Sequence, residues 1–395
     1  MAQPIPINQR IEVMDMLRGI AILGILLINI NSFALPLDAL FELTEVGYDH
    51  AIDAWVYASV TALAGGKFMS MFALLFGAGV ALMVDRRRQI GEPTAVLHYR
   101  RVGALAGLGL IHGIFIWHGD ILLPYAIVGA ILYPLLLLTG RKLLWICIVA
   151  WVLVLLSTLG VGALAAWAET MASEGEMGAG VFDNEIELMR GGLLGIMKVR
   201  FVHWLIFFFI GLFMGLPWVL ALMTTGALAK RSGWITGERS RRDYQWLMLA
   251  GLVVGLPIAV MRVALSLWSD SYLFVAVEMT MNVIDATALC FAWGAFVVLI
   301  SRALSSVWLG RALAAVGRMA LTNYLMQSIL CTMLFYGYGL GLFATMSRAE
   351  LLIVVLGVWA LQLLWSPWWL SRHERGPMEA VWRKLTYPKF VERIE

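Results

Sequence analysis

Arg18 precedes Asn29 by eleven residues, and Arg101 precedes His112 by the same interval. In an α-helix eleven residues rise ~16 Å and complete about three turns, so each pair shares one helix face. A cation at the foot of such a helix and a polar group halfway up it would hold phosphate at a membrane surface, with reactive chemistry one arm's length deeper. An imidazole at His112 suits general-base work near neutral pH; a packed histidine bonded to a neighbouring helix is the alternative. An amide at Asn29 can orient a base or donate to an oxyanion, or join helices without any chemistry. Arg18 is three residues from Asp15 and within reach of it on the same face. Arg18 and Arg101 also have the option of snorkelling to lipid headgroups.

Other polar residues fall inside apolar stretches. His118 and Asp120, in the run WHGD, stand where an acceptor or an incoming proton would arrive; a helix end capped by Asp120 is the bland reading. His118 is six residues from His112, so the two point to different faces, against a shared metal or haem. Glu278, Asn282 and Asp285 make one polar stripe at i, i+4 and i+7. Arg262 is expected at the depth of Glu278, Arg318 within reach of Asp285, and Asn323 on one face with Gln327. This group reads as a proton or ion path, an acceptor site, or a salt-bridged seam.

The elements that must position these residues are hydrophobic helices. The chain is 61% hydrophobic and 14% charged, with a mean hydropathy of +0.83. A soluble chain of 395 residues could not cover so much apolar surface, so the composition specifies a multi-pass membrane protein. An all-α bundle of about ten transmembrane helices is expected, because only helices satisfy their backbone within an ~30 Å hydrocarbon layer here. The spans read as 16–35, 66–84, 99–118, 121–139, 142–167, 196–217, 245–267, 273–300, 312–336 and 350–370. Residues 51–64 suggest a further helix on the outer surface, and 218–229 a prolongation or short return after the sixth span. The chain reads as one integral domain: 1–140 with the two arginine-led helices, 141–370 the remaining bundle, and 371–395 a basic, aromatic tail along the inner surface.

Charge sets the expected orientation. The 85–101 loop, the 230–242 loop and the tail are rich in arginine and lysine. The alternate loops carry Asp38, Glu42, Glu45, Asp49 and Asp53, and then Glu169, Glu174, Glu176, Asp183, Glu185 and Glu187. By the positive-inside rule both termini are cytoplasmic. Cys147, Cys290 and Cys331 lie within spans and form neither a disulfide framework nor a metal-ligand spacing. Phosphate-binding glycine loops, HExxH and a serine nucleophile elbow are missing.

The segments MDMLRGIAILGILLINI, GGKFMSMFALLFGAGVALM, RRVGALAGLGLIHGIFIWHGDILLPYAIVG, VGRMALTNYLMQS and GPMEAVWRKLTY together resemble the bacterial YeiB-like family of membrane proteins over nearly the whole chain. More distantly, the first three spans resemble the transmembrane acyltransferase superfamily, which includes bacterial surface-polysaccharide acyltransferases and lysosomal heparan-glucosaminide acetyltransferase. The bacterial enzymes have a basic residue, ten residues and then histidine, which Arg101 and His112 match. The lysosomal enzyme has Asp-x-x-Arg-Gly and a later asparagine, which Asp15, Arg18, Gly19 and Asn29 match. Its histidine soon after that asparagine has no counterpart here before His50.

The resemblance implies acyl-CoA on the cytoplasmic side as donor, and a glycan, lipid or small-molecule acceptor on the outer side. Arg18, Arg100 and Arg101 suit CoA phosphates, and the ~16 Å rise from Arg101 to His112 is comparable to a pantetheine arm. His112 would take the acceptor's proton and Asn29 would orient it or hold the oxyanion. No metal, haem or nucleic acid is expected, a homodimer stays open, and the expected location is the bacterial inner membrane. A proton-coupled transporter built on the Glu278–Asn282–Asp285 stripe and a non-catalytic scaffold are the competing readings.

Overall fold

A computed structural model describes residues 12–37, 39, 46–171, 184–268 and 272–387. Asp38, Glu42, Glu45, Glu174, Glu176, Asp183, Lys389 and Arg393 lie outside these residues. The chain forms an all-α bundle. Its helices are α1 (Glu12–Ala34), α2 (Ala51–Leu63), α3 (Lys67–Gln89), α4 (Ala95–Ile111), α5 (Leu122–Leu136), α6 (Gly140–Met171), α7 (Glu185–Arg190), α8 (Leu193–Ile210), α9 (Leu216–Arg231), α10 (Arg241–Trp268), α11 (Tyr272–Ser306), α12 (Trp308–Arg318), α13 (Ala320–Phe335), α14 (Arg348–Leu370) and α15 (Pro377–Thr386). Among the described residues, 7 continuous helical stretches are long and apolar enough to cross a membrane, and α5 and α13 are shorter apolar helices. The protein is a multi-pass membrane protein.

Two single-turn π-helices interrupt the α-helical pattern. One, His112–Ile116, ends α4; the other, Gly211–Gly215, joins α8 to α9. The stretch 218–229 therefore prolongs the sixth span. The ninth expected span is broken: α12 stops at Arg318, Met319 leaves helical geometry with φ −110° and ψ 31°, and α13 begins at Ala320. A helix break frees carbonyl groups that need new donors. The Asn323 amide supplies one, donating to the Val316 carbonyl at 3.1 Å and to Ser366 Oγ at 3.0 Å.

Small residues set the helix spacing. A Cβ on Gly19 would strike the Leu313 carbonyl, and one on Gly317 the Asp15 carbonyl, so α1 and α12 meet backbone to backbone. Gly77 and Gly226 do the same for α3 and α9, against Met223 and Leu74. With lipid as apolar as the core, such close packing replaces the usual hydrophobic drive between helices.

The basic loops and the tail share one end of the bundle. Asp85 at the end of α3 bonds Lys230 at 2.9 Å and Arg231 at 2.8 Å, and Arg101 packs against Trp382 of α15. The acidic segments meet at the opposite end, where the Leu37 amide donates to Glu185 at 3.2 Å.

Candidate functional site

The π-turn at the top of α4 buries His112 completely. Such turns occur often at functional sites because the extra residue re-aims a side chain. His112 Nδ1 lies 2.9 Å from Asp120 Oδ1, and Nε2 lies 2.9 Å from Ser328 Oγ on α13. The Asp120 carboxylate also accepts the amides of Leu122 at 3.1 Å and Leu123 at 2.8 Å, fixing it at the start of α5. An ionised carboxylate only accepts, so a neutral imidazole carries its proton on Nδ1 and accepts the Ser328 hydroxyl at Nε2. Carboxylate, imidazole and hydroxyl thus stand in the order that activates a serine in acyl transfer, a constellation recognised by geometry rather than by sequence order.

Tyr324, one turn before Ser328, holds this corner. Its hydroxyl donates to the Gly119 carbonyl at 3.1 Å and accepts the Ile121 amide at 3.3 Å, and its ring centroid is 5.0 Å from that of His112. Arg200 donates to the Ile116 carbonyl at 3.0 Å and so satisfies the end of the π-turn. Gly109 and Gly113 allow the chain to fold this tightly: a Cβ on Gly109 would press on the Leu123 amide, and one on Gly113 on the Trp204 ring.

Asp120 is also part of the wall of a cavity of about 420 Å³ near the acidic end. Asn29, Asn31, Ser32, His118 and Arg348 supply further polar groups, and most of the remaining wall is apolar or aromatic. His118 Nε2 is 3.0 Å from Ser32 Oγ, and its ring stacks on Phe207 at 5.3 Å. Asn31 accepts from Arg348 at 3.2 Å. The structure therefore brings Asn29, His118 and Asp120 to one cavity. His112 and Ser328 stand behind its Asp120 wall, not in its lining.

The cationic feet sit at the other end, and here the expected geometry needs correction. Helix α1 packs chiefly on α3, α12 and α13, whereas α4 packs on α5 and α15. The face of α4 between Arg101 and His112 is filled by Leu105, buried in the core, and by Leu108 packed against it. Arg101 is covered by the Trp382 ring, 4.5 Å away, whose indole donates to the Arg101 carbonyl at 2.9 Å. Arg87 and Arg18 are near enough for their charges to act on Arg101. Arg18 pairs with Asp15 at 2.9 Å, and Arg100 is exposed.

The polar stripe forms a separate, charge-balanced network. Asp285 bridges Lys67 at 2.9 Å and Arg262 at 3.0 Å, with both carboxylate and ammonium fully buried. Arg262 reaches Glu278 at 3.5 Å, as their depths suggested, and both cations donate to the Thr61 carbonyl. Arg318 does not approach Asp285; it points to the Glu374 carbonyl at 3.4 Å, and Lys67 takes the expected place. Asn282 lies beside Gly66. Asn323 serves the α12–α13 break, and Gln327 bonds Gln362 at 2.9 Å and the Ile22 carbonyl at 3.2 Å. Ser328 and Lys67 were the residues that spacing alone did not pick out. The only sequence signal for Ser328 was its place in the polar run Asn323–Gln327–Ser328.

Several bacterial proteins resemble this chain along nearly their whole length. Residues 228–389 match the family described as "Protein of unknown function (DUF418)". The "Uncharacterized protein YeiB" of Escherichia coli is 35% identical over 384 residues, covering 96% of both chains. The "Uncharacterized protein YxaH" of Bacillus subtilis is 30% identical, covering 98% of this chain and 96% of its own. The "Uncharacterized 39.9 kDa protein in amylase 3'region" of Bacillus acidopullulyticus is 26% identical over 97% of this chain and 96% of its own. By its similarity to these bacterial proteins over nearly its whole length, the chain belongs to the YeiB-like, DUF418 family of multi-pass membrane proteins.

Proposed function

We propose that the protein is a membrane-embedded acyltransferase that moves an acyl group from a cytoplasmic acyl-CoA to a hydroxyl or amine acceptor in the outer cavity. The observation that carries this reading is the Asp120–His112–Ser328 chain, with 2.9 Å at each link to the imidazole. Ser328 attacks the thioester carbonyl while His112 Nε2 takes the hydroxyl proton. The C–S bond breaks, and that proton leaves on the CoA thiol. Once the Asp120 wall of the cavity moves aside, the acceptor attacks the Ser328 ester, its proton passes to His112 and on to the Ser328 oxygen, and the acylated acceptor departs. Asp120 holds the imidazole tautomer and balances the imidazolium formed in each step.

The cluster of Arg18, Arg87 and Arg101 supports phosphate binding at the basic end, with exposed Arg100 beside it. Donor entry along α4 requires Leu105 and Leu108 to move from the α4–α5 seam, and Trp382 to leave Arg101. Binding of the donor is thus coupled to a shift of these helices. The transporter reading has less support, because Asp285 is held by Lys67 and Arg262 together and ties three parts of the bundle as a fixed counter-charge.

The test is turnover of acetyl-CoA by the purified protein, read as free thiol released. Thiol release in the wild type and its loss in His112→Ala are expected. Equal release from both proteins, or none from either, removes the reading.

A further inference from the structure

One wall of the cavity is a helix whose other side is exposed and apolar. Gly211 and Gly215 line it from the second π-turn, one turn apart, and a Cβ on either would meet nothing within 4 Å. Around them, Phe209, Ile210 and Phe213 are exposed at 56%, 46% and 68%, as expected for side chains in contact with hydrocarbon. The α8–α9 stretch is the least buried of the apolar helices, with 11% of its most apolar window inside the protein. Two glycines therefore leave this stretch of the wall without side chains, on a helix that turns exposed apolar groups outward.

The interior is polarised. Asn29, Asn31, Ser32, His118 and Asp120 lie along the α1 and Asp120 sides, whereas Val219 and Leu222 of α9 and Met69 of α3 supply apolar wall. Several polar atoms of the lining lack partners, those of Ser70 and His118 among them. Ser70 and His118 are more than nine-tenths buried, and Ser70 Oγ and His118 Nδ1 have no hydrogen-bond partner. Buried polar atoms left unpaired are rare in native structures and call for an explanation. A head group offering both donors and acceptors provides one, and the apolar wall accommodates the chain attached to it.

We infer that the acceptor is an amphiphile drawn from the bilayer: a hydroxyl- or amine-bearing head seated at Asn29, His118 and Asp120, with its hydrocarbon chain leaving between Gly211 and Gly215. This rests on the transferase reading for its chemistry, but not for its geometry. A molecule taken from water needs no opening toward lipid, whereas a membrane lipid enters without leaving its solvent.

The experiment uses the full chain in phospholipid nanodiscs with a monoacylglycerol that carries a diazirine in its chain. After illumination, adducts are mapped by peptide mass spectrometry. Adducts on Met69, Val219 or Leu222 are expected, and their loss in Gly211→Trp and in Gly215→Leu, two substitutions of different bulk at positions with open space. Phe213→Trp, on the lipid-facing side, keeps them. Adducts confined to Phe209, Ile210 and Phe213, or cavity adducts that persist in both glycine variants, overturn the inference. Cavity adducts in a protein that never turns over acyl-CoA support lipid entry while removing the transferase reading. Acetyl-CoA turnover with adducts only on the outside does the reverse.

Discussion

His112 Nε2 and Ser328 Oγ stand 2.9 Å apart across the bundle, although 216 residues separate them in the chain. That contact joins the π-turn at the end of α4 to the middle of α13. His112 is buried in that turn, and Tyr324 and Ser328, one turn apart on α13, both face it.

Removing either end of the relay should stop transfer and spare the fold to different degrees. Ser328→Ala leaves His112 bonded to Asp120 and is expected to lower turnover by about 10²–10⁴-fold with little change in thermal stability. Asp120→Asn should lower turnover comparably and also cost about 1–3 kcal/mol, because the amides of Leu122 and Leu123 lose a charged acceptor. Thiol release and thermal unfolding of each purified variant measure both effects.

The Lys67–Asp285 pair should behave as a buried bridge whose halves depend on each other. Asp285→Asn or Lys67→Met alone leaves an uncompensated charge and is expected to destabilise by about 3–5 kcal/mol. The double variant should recover part of that loss, giving a clear coupling in a double-mutant cycle. Additive losses would assign the pair no mutual role.

Glycine packing makes a third prediction. Gly77→Ala places a methyl group against the Met223 backbone, which cannot yield as a side chain could, and should cost about 1–3 kcal/mol. Gly103→Ala, with nothing within 4 Å of its new Cβ, should be neutral or slightly stabilising through helix propensity. Thermal unfolding in one detergent distinguishes them.

The docking of α15 should weaken as pH rises. Glu379 accepts the amides of Leu321 at 2.8 Å and Thr322 at 3.1 Å, and the Thr322 hydroxyl at 2.5 Å. Burial nevertheless pushes its carboxyl above the ordinary value of 4.5, outweighing these bonds. The docked state therefore holds its proton more firmly than the free tail. The advantage is full below that ordinary value and is lost as pH rises through the raised one. Trp382 fluorescence should report release of the tail in that window, and Glu379→Gln should remove the pH dependence.

Much of this architecture was legible in the sequence because hydrophobic length and charge asymmetry are local properties. Arg262 and Glu278 were placed together by depth alone, and they do meet at 3.5 Å. What sequence did not reveal depended on tertiary packing. Asp285 needed a cation, but beside Arg262 it pairs with Lys67, at the end of α3 away from the basic loops, rather than with Arg318. Arg101 and His112 do share a face of α4, yet whether that face borders a channel or a leucine-filled seam is decided by α5. The π-turns were invisible because each adds one residue to a helical pattern without changing its composition.

The central claim is that Ser328 carries the acyl group. Incubation of the purified protein with acetyl-CoA, without an acceptor, followed by peptide mass spectrometry should find an acetyl group on Ser328. It should be absent in His112→Ala. Thiol release with Ser328 unmodified, or with the acetyl group unchanged in His112→Ala, would contradict the account.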